Sequence, residues 1–145
     1  LSLLVIFLSV QVFADDDVYT DVEKQLAQVL KCASYLSFKQ EVASLSESND
    51  KSKLRLRVTA NNIEYFILAA RPIGKKLSID EAMLTVKFVE EYEGWITIAK
   101  SGLPYAGLIE AYEIECYQGG DIYEVALKAI NAAGLNDEAA QIFSP

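Results

Sequence analysis

The chain has no histidine among its 145 residues, and it has only two cysteines. Without histidine it lacks the commonest general base, the usual metal ligand and the usual partner of a serine or cysteine nucleophile. Two cysteines fall short of the four ligands of a structural zinc site. Gly74 and Gly119-Gly120 lack the spacing of a phosphate-binding loop. These absences predict a protein that is not an enzyme and has no catalytic, cofactor-binding or metal-binding residues.

Basic residues are scarce as well. Thirteen Lys and Arg face 21 Asp and Glu, which gives a formal net charge of −8. Nucleic-acid binding needs clusters of Lys and Arg to neutralise phosphates, so this composition argues against it. A basic protein is the natural electrostatic partner of such a chain.

The first fourteen residues, LSLLVIFLSVQVFA, carry no charge and are followed directly by three aspartates. Val12 and Ala14 fit the small-residue rule for cleavage after Ala14, so residues 1–14 are interpreted as a secretory signal peptide. A membrane anchor and a buried helix are the alternatives, but the run is shorter than the roughly 20 apolar residues of a spanning helix. We therefore expect a periplasmic or secreted protein, with residues 15–145 as one helical domain without a membrane span.

Cys32 and Cys116 permit one intrachain disulfide. Export to an oxidising compartment favours this bond, and two buried free thiols are the alternative. Both cysteines lie beside predicted apolar helix stripes, so the bond would link the first helix to the fourth.

The order of apolar runs and capping signals predicts an all-α bundle of about five helices. A capping box at Thr20–Glu23 opens the first helix, and a polar break over residues 46–52 follows it. The second helix is expected from about Ser52 to Ala70, ended by Pro72. Its segment Leu54–Val58 alternates apolar and basic residues, which is also typical of a strand.

A second capping box, Ser78–Glu81, opens the third predicted helix. Gly94 interrupts this helix and is interpreted as a position of close packing beside Trp95, with a kink near a functional site as the alternative. Gly102 should end it, the fourth helix should cover about Pro104–Tyr117, and the fifth should close at Gly134. The face expected to be buried in the third helix comprises Ala82, Val86, Val89, Tyr92, Ile96 and Ala99. In the fourth, Leu108, Ala111, Tyr112 and Glu115 share one side.

The loop Ser101–Gly107 is apolar, flanked by glycines and stiffened by a proline. A protruding apolar tip is a known interaction feature, so Leu103, Pro104 and Tyr105 are predicted to bind a partner. The alternative is a structural turn in which Leu103 and Tyr105 fold back onto the core. The nearby acids, Glu90 to Glu93 and Glu110 to Glu115, are interpreted as solvated helix faces.

The chain resembles the periplasmic immunity proteins of type VI secretion amidase effectors. The resemblance lies in its layout: Lys31-Cys32-Ala33 in the first helix, and the run Ala111–Tyr117 with its cysteine in a late helix. It implies a periplasmic homodimer that plugs a cell-wall hydrolase by inserting a loop. The alternatives are a helical carrier of a small molecule or lipid, and an oligomeric structural component of the cell envelope.

Overall fold

The computed structural model describes residues 2–46, 50–117 and 122–143, with side chains described for residues 20–42, 63–117 and 122–143. These ranges contain six helices and no strand. The all-α prediction is confirmed, with one helix more than the five expected, because Asn136–Phe143 forms a sixth. The helices are α1 (Ser2–Ser46), α2 (Asp50–Lys76), α3 (Glu81–Lys100), α4 (Ala106–Tyr117), α5 (Ile122–Ala132) and α6 (Asn136–Phe143).

Helix α1 is longer than its capping signal predicts. It passes through Thr20–Glu23 without interruption, so the expected helix start at this box is wrong for the chain as it stands. Ser2–Ser46 contains neither glycine nor proline, and an established helix propagates readily through such a segment. The predicted signal peptide falls in the first turns of α1, where side chains lie outside the described residues, and its cleavage stays a prediction.

Helix α2 settles the ambiguous segment and extends past its predicted end. Leu54–Val58 lies within it, so this stretch is helical. The helix also continues through Pro72 to Lys76, and the predicted end is wrong. A proline in a helix interior costs about 3 kcal/mol. Burial of Ile73 and Ala69 on the same helix offsets that cost, because both are fully removed from solvent.

The connection between α2 and α3 uses Ser78 and Asp80 in roles other than those predicted. Ser78 adopts a left-handed conformation with φ of 57°, and the Ile79 N–H donates to the Gly74 carbonyl over 2.8 Å. These are features of a Schellman helix end. The Asp80 carboxylate, rather than Ser78, caps α3 by accepting from the Met83 N–H at 2.8 Å. The second capping box is therefore wrong.

The hydrophobic core lies where α1 packs against α2, α3 and α5. The buried face predicted for α3 is confirmed in its second half, where Tyr92, Ile96 and Ala99 pack against the core. In its first half the prediction is wrong, because Ala82, Val86 and Val89 are exposed. The fully buried residues of α3 are Leu84 and Trp95. The packing of Trp95 between aromatic rings of α1 and α4 sets the rotation of this helix. Close packing at Gly94 is also wrong, because a Cβ placed there would meet no atom within 4 Å.

Across the part of the chain that the structure describes, no helix is both long enough and apolar enough to cross a membrane.

Candidate protein-binding face

The turn between α3 and α4 presents the predicted loop. Gly102 has a φ of 73°, a left-handed conformation that suits glycine at a helix end. The Ser101 hydroxyl donates to the Ile98 carbonyl at 2.7 Å and accepts from the Leu103 N–H at 3.2 Å. These bonds fix the turn and leave the Leu103 side chain 69% exposed.

The three predicted contact residues of this turn divide into two groups. Leu103 and Pro104 are exposed, whereas Tyr105 is half-buried and packs against the core. The Tyr105 ring lies edge-on to Phe38, with 6.3 Å between the ring centroids. Its carbonyl accepts from the Ile109 N–H at 3.1 Å, so Tyr105 begins the hydrogen bonding of α4. The expectation that Tyr105 lies at the tip outside the core is wrong.

Helix α4 carries apolar residues on both of its sides. Ile109, Tyr112 and Cys116 recur at helical spacing and form the inner side, with Cys116 fully buried. The opposite side is solvent-exposed, including Leu108, Ala111 and Ile114, and the Ile114 side chain is 68% exposed. Sequence reasoning placed Leu108 and Ala111 on one side with Tyr112, whereas in the structure Tyr112 turns inward. We define the docking face as Leu103, Leu108, Ala111 and Ile114.

A disulfide holds α4 against α1. Cys32 and Cys116 are bonded, with 5.5 Å between their Cα atoms, so the predicted bond between the first and fourth helices is confirmed. Both cysteines are fully buried. The bond therefore closes the inner side of α4 and directs Ile114 to solvent.

A polar network lies one turn from the disulfide and was not predicted from the sequence. Glu113 accepts hydrogen bonds from the Tyr35 hydroxyl and from the Lys39 ammonium, the second at 2.5 Å. The Lys39 ammonium also lies 4.9 Å from the centre of the Tyr117 ring, within cation–π range. Glu113 therefore binds α1, and the interpretation of this acid as part of a solvated face is wrong. The predicted disulfide could have indicated this contact. Tyr35 lies one helical turn after Cys32 and Glu113 one turn before Cys116, so the bond brings the two side chains together.

Burial and the Glu113 charge perturb the titration of this network. Burial raises the pKa of the Tyr35 phenol, and the hydrogen bond and charge of Glu113 raise it further. Burial also raises the pKa of Tyr117, with Lys39 opposing that shift. For Lys39, burial lowers the pKa, but Glu113 and Tyr117 outweigh it and leave the value above the ordinary one. All three groups keep their protons at neutral pH, so a charged lysine and neutral phenols link α1 to α4 through Glu113.

A cluster of aromatic rings packs against the inner side of α4. The Trp95 ring lies 4.8 Å from that of Tyr112 and 5.4 Å from that of Tyr35, measured between centroids. Phe38 stacks on Trp95 at 5.2 Å. Such pairs contribute about 0.5–1.5 kcal/mol each beyond their buried area. The helix that carries most of the docking face is therefore packed against the core.

Acidic side chains border the docking face. Glu110 is exposed on one flank of α4, and Glu115 is half-buried on the other. Their helical positions place Ala111 and Ile114 between two carboxylates. This arrangement offers a surface that is apolar at its centre and negative at its edges.

Within the described ranges, no group of three or more histidine, cysteine, aspartate or glutamate residues could hold a metal ion. The chain matches no protein-family model, and neither a curated protein nor a solved structure is significantly similar to it.

Proposed function

We propose that this protein is a non-enzymatic binding module of the periplasm or the extracellular space, which binds a protein partner through the docking face. The observation that carries the proposal is the uncovered apolar side of α4. A helix with apolar residues on two opposite sides is normally covered on both, whereas Ile114 on the outer side of α4 and Leu103 in the turn before it are largely exposed. A partner that covers them would gain about 25 cal/mol for each Å² of apolar surface removed from water.

The rigidity of the docking face supports a role in recognition. The disulfide, the Glu113 network and the aromatic cluster fix α4 before any partner arrives. A surface that is already ordered loses less conformational entropy on binding than a loop that must become ordered. Leu103 and Ile114 therefore serve as anchors on a preformed surface.

Charge indicates the kind of partner. Glu110 and Glu115 flank the apolar centre, and the whole chain carries a formal charge of −8. A partner with basic residues around an apolar pocket would match this pattern and would be drawn in by long-range attraction. Inhibition of a basic secreted toxin or cell-wall hydrolase, with Leu103 inserted into its active-site cleft, is the specific form of the proposal.

The test starts with capture from the cell envelope of the source organism. The protein should retain a partner that mass spectrometry identifies, and the double substitution Leu103→Asp/Ile114→Asp should lose it. Val86→Asp is the matched control, because Val86 is 48% exposed on α3 and lies outside the docking face. Equal capture by all three proteins would place the contact elsewhere and contradict the proposal.

Measurements on the purified pair give the energetics and the activity. Leu103→Ala should cost about 2 kcal/mol of binding if Leu103 is an anchor, and raising the salt concentration should slow association. A hydrolase partner should lose activity on addition of the wild-type protein and keep it with the double variant. A partner that binds with full activity would retain the binding proposal and remove the inhibitory one.

The lipid-carrier alternative finds less support. The apolar cleft between α1, α2 and α3 has a volume of about 160 Å³. Pockets for drug-sized ligands span about 300–1,000 Å³, so this cleft is too small to enclose an acyl chain. The neighbouring groove is larger, about 800 Å³, but most of the side chains that line it are charged, which does not suit an acyl chain.

A further inference from the structure

The cleft between α1, α2 and α3 shares no residue with the docking face. One wall comes from each helix, and the walls meet near the end of α2 and the start of α3. The apolar lining consists of Leu30, Ile67, Ala70, Leu84 and Phe88.

The volume of the cleft limits what it can hold. An apolar cavity of about 150 Å³ accommodates benzene, and this cleft measures about 160 Å³. It is half-open to solvent, because Ile67 and Phe88 at its rim are not fully buried. A single aromatic ring therefore fits, with a substituent directed toward the opening.

The polar residues of the cleft are Arg71, Glu81 and Thr85. The Arg71 Nε atom lies 3.0 Å from the Glu81 carboxylate, and the Arg71 side chain is 54% exposed. Nε makes this contact. A guanidinium has a second edge, formed by its two Nη groups, that can bind another carboxylate in the paired geometry that arginine favours.

A neighbouring groove shares Arg71 and Glu81 with the cleft and contains further charged side chains. Lys76 is engaged with the Ala133 carbonyl at 2.6 Å, and Asp80 caps α3. Lys75 and Glu138 have opposite charges in the same groove. Arg71 is thus the cation that lies at the boundary of the apolar cleft itself.

We propose that this cleft binds a small aromatic monocarboxylate, with its ring against Leu84 and Phe88 and its carboxylate on Arg71. The ring gains from apolar burial, and the carboxylate gains a charge-assisted hydrogen bond pair. The site is independent of the protein-binding function, since it uses other helices and another chemistry.

Phenylacetate, toluene and acetate are the probes, titrated separately into the isotope-labelled, disulfide-bonded full chain. Phenylacetate should shift the NMR signals of Ile67, Ala70 and Leu84 and bind at least tenfold more tightly than either of the others. Toluene lacks the carboxylate and acetate lacks the ring, so each tests one half of the site.

Substitutions at the rim sharpen the test. Arg71→Gln should weaken phenylacetate binding about tenfold, whereas Glu81→Gln should strengthen it about threefold by removing a competing carboxylate. Thr85→Trp should abolish binding, because Thr85 is exposed and an indole there would occupy the opening. Lys75→Gln is the control and should change affinity less than twofold.

Equal affinity for toluene and phenylacetate would overturn the proposal, as would an Arg71→Gln variant that binds like the wild type. Signal shifts confined to α4 would also overturn it, since they would place the ligand on the docking face. Circular dichroism of each variant verifies the fold, and Arg71→Gln decides the outcome if Thr85→Trp does not fold.

Discussion

Helices α4 and α5 are similar in length, with 12 and 11 residues, and both are rich in apolar side chains. In α5 these side chains fall on one face, and Ile122, Val125, Ala126, Ala129 and Ile130 are all buried. In α4 they fall on two opposite sides, and Cys116 is the residue that is buried. Burial of its single apolar face is therefore enough to hold α5 against the core, whereas α4 needs other interactions to hold it in place.

The way each helix is fastened follows the same contrast. Helix α5 ends in a Schellman arrangement at Gly134, and the Lys76 ammonium donates to its last turn at Ala133. Helix α4 relies on the covalent bond at Cys116 and on the charged contact at Glu113. Strong anchoring on one side is what allows α4 to keep apolar residues exposed on the other.

Removing the disulfide should give the largest effect and should separate the two helices. The double substitution Cys32→Ala/Cys116→Ala opens a loop of 84 residues, for which the loop-entropy model gives about 4–5 kcal/mol of lost stability. Hydrogen exchange should accelerate more in α4 than in α5, because α5 has its own packed face. Denaturant unfolding and exchange mass spectrometry measure both quantities.

Reduction of the wild-type protein is the control for the double variant, since it breaks the bond without changing side-chain volume by more than two hydrogens. The reduced protein should show the same pattern of exchange. Equal acceleration in both helices would mean that the disulfide stabilises the bundle as a whole rather than α4.

A pair of isoleucines tests the two helices with one substitution. Ile130→Ala in α5 should destabilise the protein by roughly 3 kcal/mol, because Ile130 is fully buried and the change leaves a cavity. Ile114→Ala in α4 should change stability by less than about 0.5 kcal/mol, because its side chain is already largely in water. Urea unfolding of the two variants measures the difference.

The loss of partner affinity should rank the two isoleucine variants in the opposite order to the loss of stability. Ile114→Ala should weaken binding, whereas Ile130→Ala should leave the affinity of the folded fraction unchanged. A large loss of stability from Ile114→Ala would show that the outer side of α4 is covered within the protein, and the docking face would then be withdrawn.

Alkaline pH should weaken the α4 attachment. Burial raises the pKa of Tyr35, Tyr112 and Tyr117 above the ordinary phenol value of about 10. The unfolded chain therefore loses these protons first, so their stabilisation is complete below about pH 10 and is lost as the pH rises toward the folded values. The free energy of unfolding should fall by at most about 1.4 kcal/mol per pH unit for each such phenol, and by less for the partly exposed Tyr112 and Tyr117.

Replacing Tyr117 by Phe tests this dependence at one phenol, because phenylalanine does not titrate. Guanidinium unfolding between pH 9 and pH 11.5 should give a shallower decline for the variant than for the wild type. Identical declines would show that Tyr117 ionises equally easily in the folded and unfolded chains.

Local signals predicted much of this fold. The helix ends at Gly102 and Gly134 depend on residues that are close in sequence, and both are confirmed by a positive φ at the glycine. The Cys32–Cys116 bond was also predictable, because the chain offers only one intrachain pairing.

The remaining features depend on contacts between distant residues. The rotation of α3 follows from the rings around Trp95, and the inward turn of Tyr105 follows from Phe38 on α1. The Lys39–Glu113 contact joins residues 74 positions apart. No periodicity within one helix encodes these pairings, so Leu103 was predicted correctly as exposed while Tyr105 was not.

Two glycines, one in α4 and one after α5, give the smallest expected difference between the two helices. Replacing each by alanine should change the stability of the protein in opposite directions. Gly107 lies in the first turn of α4, where a Cβ would meet no atom within 4 Å, so Gly107→Ala should stabilise the protein by about 0.5 kcal/mol through helix propensity. Gly134 has a φ of 79° after α5, and a Cβ there would lie 3.1 Å from the Lys76 ammonium. Gly134→Ala should therefore cost about 1 kcal/mol, because a side chain in the left-handed conformation meets the backbone. Thermal unfolding of both variants decides the signs. A loss of stability from Gly107→Ala would mean that another part of the protein already covers the start of α4. Leu108, which follows Gly107, would then no longer belong to the docking face.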